Sequence, residues 1–234
     1  MIFRNKESII CDMDGTLIDS IPLCNLVDEE IIDYFGKVPH ASVGNERTKF
    51  LSENTTGDIY RNYGQFLIDT YGFENTTAEE VAQMRCDRSK AFHETKMDYK
   101  DGADEFLRKA KEKEYKLLLA SSTSKWVIDA YTMVNKKMIK KANMREIFDV
   151  ILTREDVSLK KPNPEVYRVA TRLSGCEPHR VIAIEDELVG VKAAKGAGIE
   201  VIAMYDKYAD VDREYIKSLA DYSVNDFHEL TKRL

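Results

Sequence analysis

The chain has 234 residues, of which 43% are hydrophobic and 32% charged, and a formal net charge of -6 at pH 7. That length supports one large or two modest domains with a substantial core, and with no low-complexity tract to argue for disorder the chain is expected to fold throughout. The negative balance argues against wholesale capture of nucleic acid or of an anionic membrane, which both need a basic footprint, so the expected partner is a small molecule.

The first predicted element is a strand over Ser8 to Cys11, a short apolar run that stops at charged residues. From Leu17 to Met97 apolar residues recur at helical spacing, with Leu26, Ile31, Ile32 and Phe35 early and Val81, Met84 and Phe92 late. A helical block of that length after a single strand reads as a second domain or cap, residues 17–96, and not as a loop. Beyond residue 100, runs at Tyr115 to Ala120, Phe148 to Leu152, Val181 to Ile184 and Val201 to Met204 alternate with amphipathic helical patterns. That alternation predicts an α/β core over residues 1–16 and 97–234, a parallel sheet covered by helices. The basic stretch from Lys136 through Lys137, Lys140 and Lys141 to Arg145 carries Met and Ile at helical spacing and reads as a solvated helix face.

The cysteines Cys11, Cys24, Cys86 and Cys176 are scattered, form no CxxC pair and follow no secretory leader, so reduced thiols and a cytoplasmic location are expected. No apolar stretch is long enough to cross a bilayer. Cys11, inside a buried strand, is expected to act as a small hydrophobe, and Trp126 to pack at the start of a helix against the sheet.

In an open α/β sheet the ligand crevice lies beyond the carboxyl ends of the strands, so polar residues just after each run are the candidates for function. Three such places carry phosphate or metal chemistry by residue type: Asp12-Met13-Asp14-Gly15-Thr16, Ser121-Ser122-Thr123 and Glu185-Asp186. Asp12 and Asp14 are two positions apart in extended backbone and point to the same side. One carboxylate can attack phosphorus to give an aspartyl-phosphate, while its neighbour protonates the leaving oxygen and then activates water. Gly15 supplies the tight turn.

Clustered carboxylates repel each other and an anionic phosphate, so this arrangement calls for a divalent cation. Asp12, Asp14, Glu185 and Asp186 form a donor set suited to Mg²⁺. Ser121 and Ser122 offer hydroxyls and amides to phosphate, and Lys161, ahead of Pro162, adds positive charge for the phosphoryl oxygens or holds the nucleophile ionised. Taken singly, each of these fragments also suits a turn, a helix cap or a solvated loop. Their order and placement carry the reading.

Asp12-Met13-Asp14-Gly15-Thr16, then Ser121, then Lys161-Pro162, then Glu185-Asp186 resembles the four ordered motifs of the haloacid dehalogenase superfamily, in its β-phosphoglucomutase and phosphoglycolate phosphatase-like branch. The resemblance covers nearly the whole chain and extends to Gly190, Ala193, Ala194, Gly196 and Gly198. It implies a Rossmann-like three-layer core with an inserted type-one helical cap. It also implies Asp12 as nucleophile, Asp14 as acid and base, Ser121 and Lys161 as phosphate partners and Asp186 as metal ligand.

Dehalogenases and phosphonoacetaldehyde hydrolases of that superfamily lack the second Asp, so Asp14 points to phosphoryl transfer. Sugar phosphomutases of the β-phosphoglucomutase type carry a His in the first cap helix where Cys24 stands here, a departure that favours hydrolysis. The expected activity is therefore that of a Mg²⁺-dependent phosphatase acting on a small phosphorylated metabolite. The alternatives are a sugar phosphomutase and a catalytically silent protein that binds a phosphometabolite. Within Gly44-Asn45-Glu46-Arg47, Arg47 is the candidate for grasping a second anionic group of the substrate, and Glu187 stands where many relatives have Ser or Thr.

Overall fold

The computed structural model describes residues 2–54 and 57–234, with the side chains of Ile21 and Ser52 outside the description. Among the described residues, the short apolar runs form β1 (Ser8–Cys11), β2 (Lys116–Ala120), β3 (Val150–Leu152), β4 (Val181–Glu185), β5 (Glu200–Met204) and β6 (Tyr222–Val224). They lie in one sheet, in the order β3-β2-β1-β4-β5-β6, and every neighbouring pair is parallel. Every residue of β1 and β4 is buried, as expected of central strands covered on both faces. The chain builds outward from β1 through β2 to β3, then returns to the other side of β1 for β4, β5 and β6. That reversal makes the β1/β4 boundary the topological switch point, the place beyond the strand ends where open α/β sheets take their ligands. Cys11 is in register with Leu119 and with Ile184, so Asp12, the next residue, is level with the ends of both neighbouring strands.

Contacts divide the chain into two compact units, residues 1–19 with 97–234, and residues 20–96. The inserted unit consists of α1 (Ile21–Tyr34), α2 (Val43–Glu53), α3 (Ile59–Tyr71) and α4 (Ala78–Thr95). Its helix starts are written locally: Asp58 accepts from the backbone of Arg61, and Thr77 with Glu80 forms a reciprocal capping box. Its apolar faces meet in a core of Val27, Ile31, Ile32, Tyr63, Leu67 and Val81. Buried beside that core is a charged cluster. Fully buried Asp28 accepts from Tyr63 Oη at 2.9 Å, from Arg85 Nε at 2.6 Å and from Arg47 at 3.3 Å. The Arg85 guanidinium lies 4.5 Å from the centre of the Tyr63 ring.

The α/β unit adds α5 (Ala103–Glu112), α6 (Lys125–Asp129), α7 (Lys136–Lys141), α8 (Met144–Ile147), α9 (Glu165–Ser174), α10 (Leu188–Gly196), α11 (Arg213–Leu219) and α12 (Phe227–Thr231). Ile10, Leu118, Ala120, Ala183, Val201 and Ala203 share a core cluster with Val166, Tyr167 and Ala170 of α9, Val191 of α10 and Ile216 of α11. The alternate strand residues Ile9, Leu117, Leu119, Ile182 and Ile202 are also fully buried, so both faces of the sheet are covered.

Several details differ from the sequence expectation. β6 is an additional strand, β2 starts at Lys116 and β5 at Glu200, β3 starts at Val150 because Phe148 still closes α8 through its bond to Met144, and Glu185 is the last residue of β4. The basic stretch is split between α7 and α8, with Met138 and Met144 turned inward and Lys137 and Lys141 paired with Asp98. Trp126 is 41% exposed, because α6 turns Val127 and Ile128 toward the interior. No described helix is long and apolar enough to cross a membrane.

Candidate active site

Asp12 leaves β1 with its backbone N–H bonded to Ile184 of β4, which holds it at the switch point with only 8% of its surface exposed. Lys161 comes from the turn before α9, next to a cis bond to Pro162. Its ammonium donates to Asp12 Oδ1 at 2.5 Å, to Glu185 Oε1 at 2.6 Å and to the carbonyl of Ala120 at 3.0 Å. Glu185 also accepts from the hydroxyl of Tyr167, and a Cβ on Gly190 would fall 2.0 Å from its carboxyl carbon. Glycine at 190 is therefore what lets α10 lie against that carboxylate.

Asp186 packs under the turn that follows Asp12. Thr16 donates to Asp186 Oδ1 at 2.6 Å, and Gly15, with φ at +83°, sits so close that a Cβ there would be 2.2 Å from Asp186 Oδ2. On the other side of the turn, the Thr123 hydroxyl donates to Asp14 Oδ2. Ser121 is 1% exposed, and its hydroxyl accepts from the backbone N–H of Thr123 at 3.0 Å, which leaves its own hydrogen for donation. Ser122, two residues past β2, is exposed.

Oxygen atoms of Asp12, Glu185 and Asp186 lie within 4.8 Å of one another, all three residues buried. Burial, then the neighbouring Glu185, pushes the Asp12 carboxyl well above the usual carboxylate range, against the pull of Lys161. Asp186 is raised likewise by burial and by Asp12. Burial opposes a charge on Lys161, but Asp12 and Glu185 outweigh it and hold the ammonium protonated. One cation thus faces several carboxylates in a region of low dielectric, a surplus of negative charge that is costly without further positive charge. Among the described residues Asp186 Oδ2 is buried with no hydrogen-bond partner. Carboxylate oxygens in excess, one of them unsatisfied, form a donor set that fits a hard divalent cation.

The sequence candidates thus converge in part. Asp12, Lys161, Glu185 and Asp186 form one contiguous cluster, and Asp14 and Ser121 are joined to each other through Thr123. Arg47 belongs to the inserted unit, where it is 7% exposed and paired with Asp28. Cys24 is half-buried on α1, and Glu187 is the exposed N-cap residue of α10. Cys11 is fully buried, and burial pushes its thiol up, which leaves it a hydrophobe.

Thr16 and Thr123 lie inside the motifs read from the sequence but were given no role there, and Tyr167, Lys100 and Asp206 were not singled out at all. Lys100 donates to the carbonyl of Gly15 and to Asp206, which sits two residues past β5. Asp206 was open to the same strand-end rule that marks Asp12 and Glu185. Tyr167 was not, since nothing in the α9 pattern separates it from an ordinary core aromatic.

Residues 9–204 match the family model described as haloacid dehalogenase-like hydrolase. The chain is 28% identical over 196 residues to the phosphorylated carbohydrates phosphatase of Thermotoga maritima, covering 84% of this chain and 83% of the relative. It is 25% identical over 234 residues to hexitol phosphatase B of Escherichia coli, covering 98% and 96%. Among solved structures, the CbbY protein of Rhodobacter sphaeroides in complex with phosphate superposes with a TM-score of 0.70 at 27% identity, over 96% of each chain.

Proposed function

The chain belongs to the haloacid dehalogenase-like hydrolase family, and from that premise we propose that it is a Mg²⁺-dependent phosphatase that hydrolyses a small phosphate monoester through an aspartyl-phosphate on Asp12. The observation that carries the reading is the cluster itself. A buried nucleophilic carboxylate is bound by an ammonium at 2.5 Å, has further carboxylates within metal-ligand reach, and is followed two residues on by a second aspartate.

In the first half-reaction an Asp12 oxygen attacks phosphorus as the bond to the leaving oxygen breaks. The carboxylic acid of Asp14 gives its proton to that oxygen, releasing an alcohol. In the second half-reaction Asp14, now a carboxylate, takes a proton from water, whose oxygen attacks phosphorus. The bond to Asp12 breaks, and inorganic phosphate and both carboxyl groups are restored. Lys161 fixes the attacking carboxylate and offers positive charge to the phosphoryl oxygens, a contribution of about 3–4 kcal/mol for a well-placed donor. Ser121 offers a hydroxyl hydrogen to the same oxygens, and Ser122 is assigned to the outer edge of that cradle. Asp12, Glu185 and Asp186 would hold the cation, which would supply charge neutralisation and polarise a phosphoryl oxygen, while Asp14, which the sequence also offered as a ligand, lies outside that set and keeps its carboxyl for proton transfer.

Residues 17–96 are assigned as the cap that selects the rest of the substrate. Arg47 and Arg85 share the carboxylate of Asp28, a surplus of positive charge that favours an anionic group on the substrate. The relatives named for phosphorylated carbohydrates and hexitols direct the proposal to sugar phosphates and related polyol phosphates.

A phosphomutase of the β-phosphoglucomutase type is the second reading, and Cys24 in place of a histidine on α1 weighs against it. The test is release of inorganic phosphate from sugar phosphates, nucleotides and 4-nitrophenyl phosphate, with Mg²⁺ and with chelator. Mg²⁺-dependent release that Asp12→Asn abolishes is the expected outcome. Bisphosphate-dependent isomerisation of a hexose phosphate without release would establish the mutase, and silence in both assays would leave a binding protein.

A further inference from the structure

Lys100 has no part in the mechanism above, yet its half-buried side chain brings its ammonium against the catalytic turn. Its side chain is 18% exposed, and its backbone N–H donates to the carbonyl of Leu17 at 2.8 Å. Its ammonium donates both to the carbonyl of Gly15 and to Asp206, whose side chain is 4% exposed. Asp206 is itself held in place, since it follows β5 and its other oxygen accepts from the backbone of Tyr208 at 2.8 Å. The carbonyl that Lys100 binds is that of Gly15, in the peptide between Gly15 and Thr16, one residue beyond Asp14 in a turn that already needs a left-handed glycine.

The turn from Asp14 to Ile18 is therefore clamped on three sides. Thr123 bonds Asp14, Thr16 bonds Asp186, and Lys100 ties Gly15 to the end of β5. We propose that Lys100, braced by Asp206, is a positioning residue that fixes the Gly15 carbonyl and so aims the Asp14 carboxyl at the leaving oxygen. The proposal rests on the phosphatase reading, with Asp14 as the proton donor. A bond to a backbone carbonyl next to the acid controls direction and not reactivity, and proton donors lose efficiency steeply when displaced.

The role predicts a dependence on the leaving group that a purely structural role does not. An alkyl phosphate expels a strongly basic alkoxide and needs the proton, whereas 4-nitrophenyl phosphate expels a weak base and needs it little. The experiment compares kcat/KM for a sugar 6-phosphate and for 4-nitrophenyl phosphate in the wild type, Lys100→Met, Lys100→Arg and Asp206→Asn, each checked for a cooperative melt. Lys100→Met should lower the alkyl-to-aryl ratio about tenfold or more, with Lys100→Arg recovering part of it and Asp206→Asn lowering it in the same direction. A ratio unchanged within about twofold in Lys100→Met overturns the role, even if both activities fall. Should Lys100→Met not fold, the ratio in Asp206→Asn decides in its place. A wild type that releases phosphate from neither ester overturns the phosphatase reading instead, which keeps the two failures apart.

Discussion

Thr123 donates its hydroxyl to Asp14 across a sequence separation of 109 residues, and the bond couples the exit of β2 to the turn after β1. A net hydrogen bond is worth about 0.5–1.5 kcal/mol, so Thr123→Val should lower kcat roughly 2- to 10-fold with the fold intact. A variant with native kcat would remove Thr123 from the site. The residues legible in the sequence, Asp12, Asp14, Lys161, Glu185 and Asp186, follow strand runs or sit in short ordered motifs. Thr123 was legible as part of a strand-end motif but not its bond to Asp14, and Tyr167 and Lys100 were not legible, because such roles arise only from partners far away in the chain.

At the scale of elements, α10 approaches the end of β4 more closely than any side chain at 190 would allow. Glu185 cannot swing aside cheaply, being bound by Lys161 and Tyr167. Gly190→Ala should cost about 1–3 kcal/mol and lower the melting temperature, with activity falling in parallel as Glu185 releases Lys161. An unchanged melt would mean that α10 shifts without penalty. In the inserted unit, Asp28→Asn leaves two guanidiniums without their counter-charge and should cost about 3–5 kcal/mol in denaturant unfolding followed by helix signal. A loss below about 1 kcal/mol would show that the pair is replaceable there. Five strands were readable as apolar runs, whereas β6, three residues of which one is serine, carries too little pattern to separate it from a loop. The buried polar cluster around Asp28 lies within regular helices, so periodicity alone presents Arg47 as a surface group.

For the molecule as a whole, the carboxylate cluster sets function against stability. Three buried acids within 4.8 Å repel one another, so in the presence of chelator Asp186→Asn should melt higher than the wild type, by several degrees if the relief is about 1–2 kcal/mol. Mg²⁺ should then raise the wild-type melting temperature with the logarithm of its free concentration above Kd and leave Asp186→Asn nearly unmoved. Equal responses of the two proteins would show that the cation binds elsewhere.

Ile18 pairs antiparallel with Tyr99, and Lys100 bonds back to Leu17, so the two points at which the chain departs from and rejoins the α/β unit are backbone neighbours. To the sheet, everything from residue 20 to residue 96 is therefore a hairpin connection of unusual length, and lengthening a connection whose ends are already pinned together costs little. A foreign helical segment could be grafted between Ile18 and Tyr99 without moving a strand, which gives a lineage a way to exchange what it recognises while keeping the chemistry it inherited.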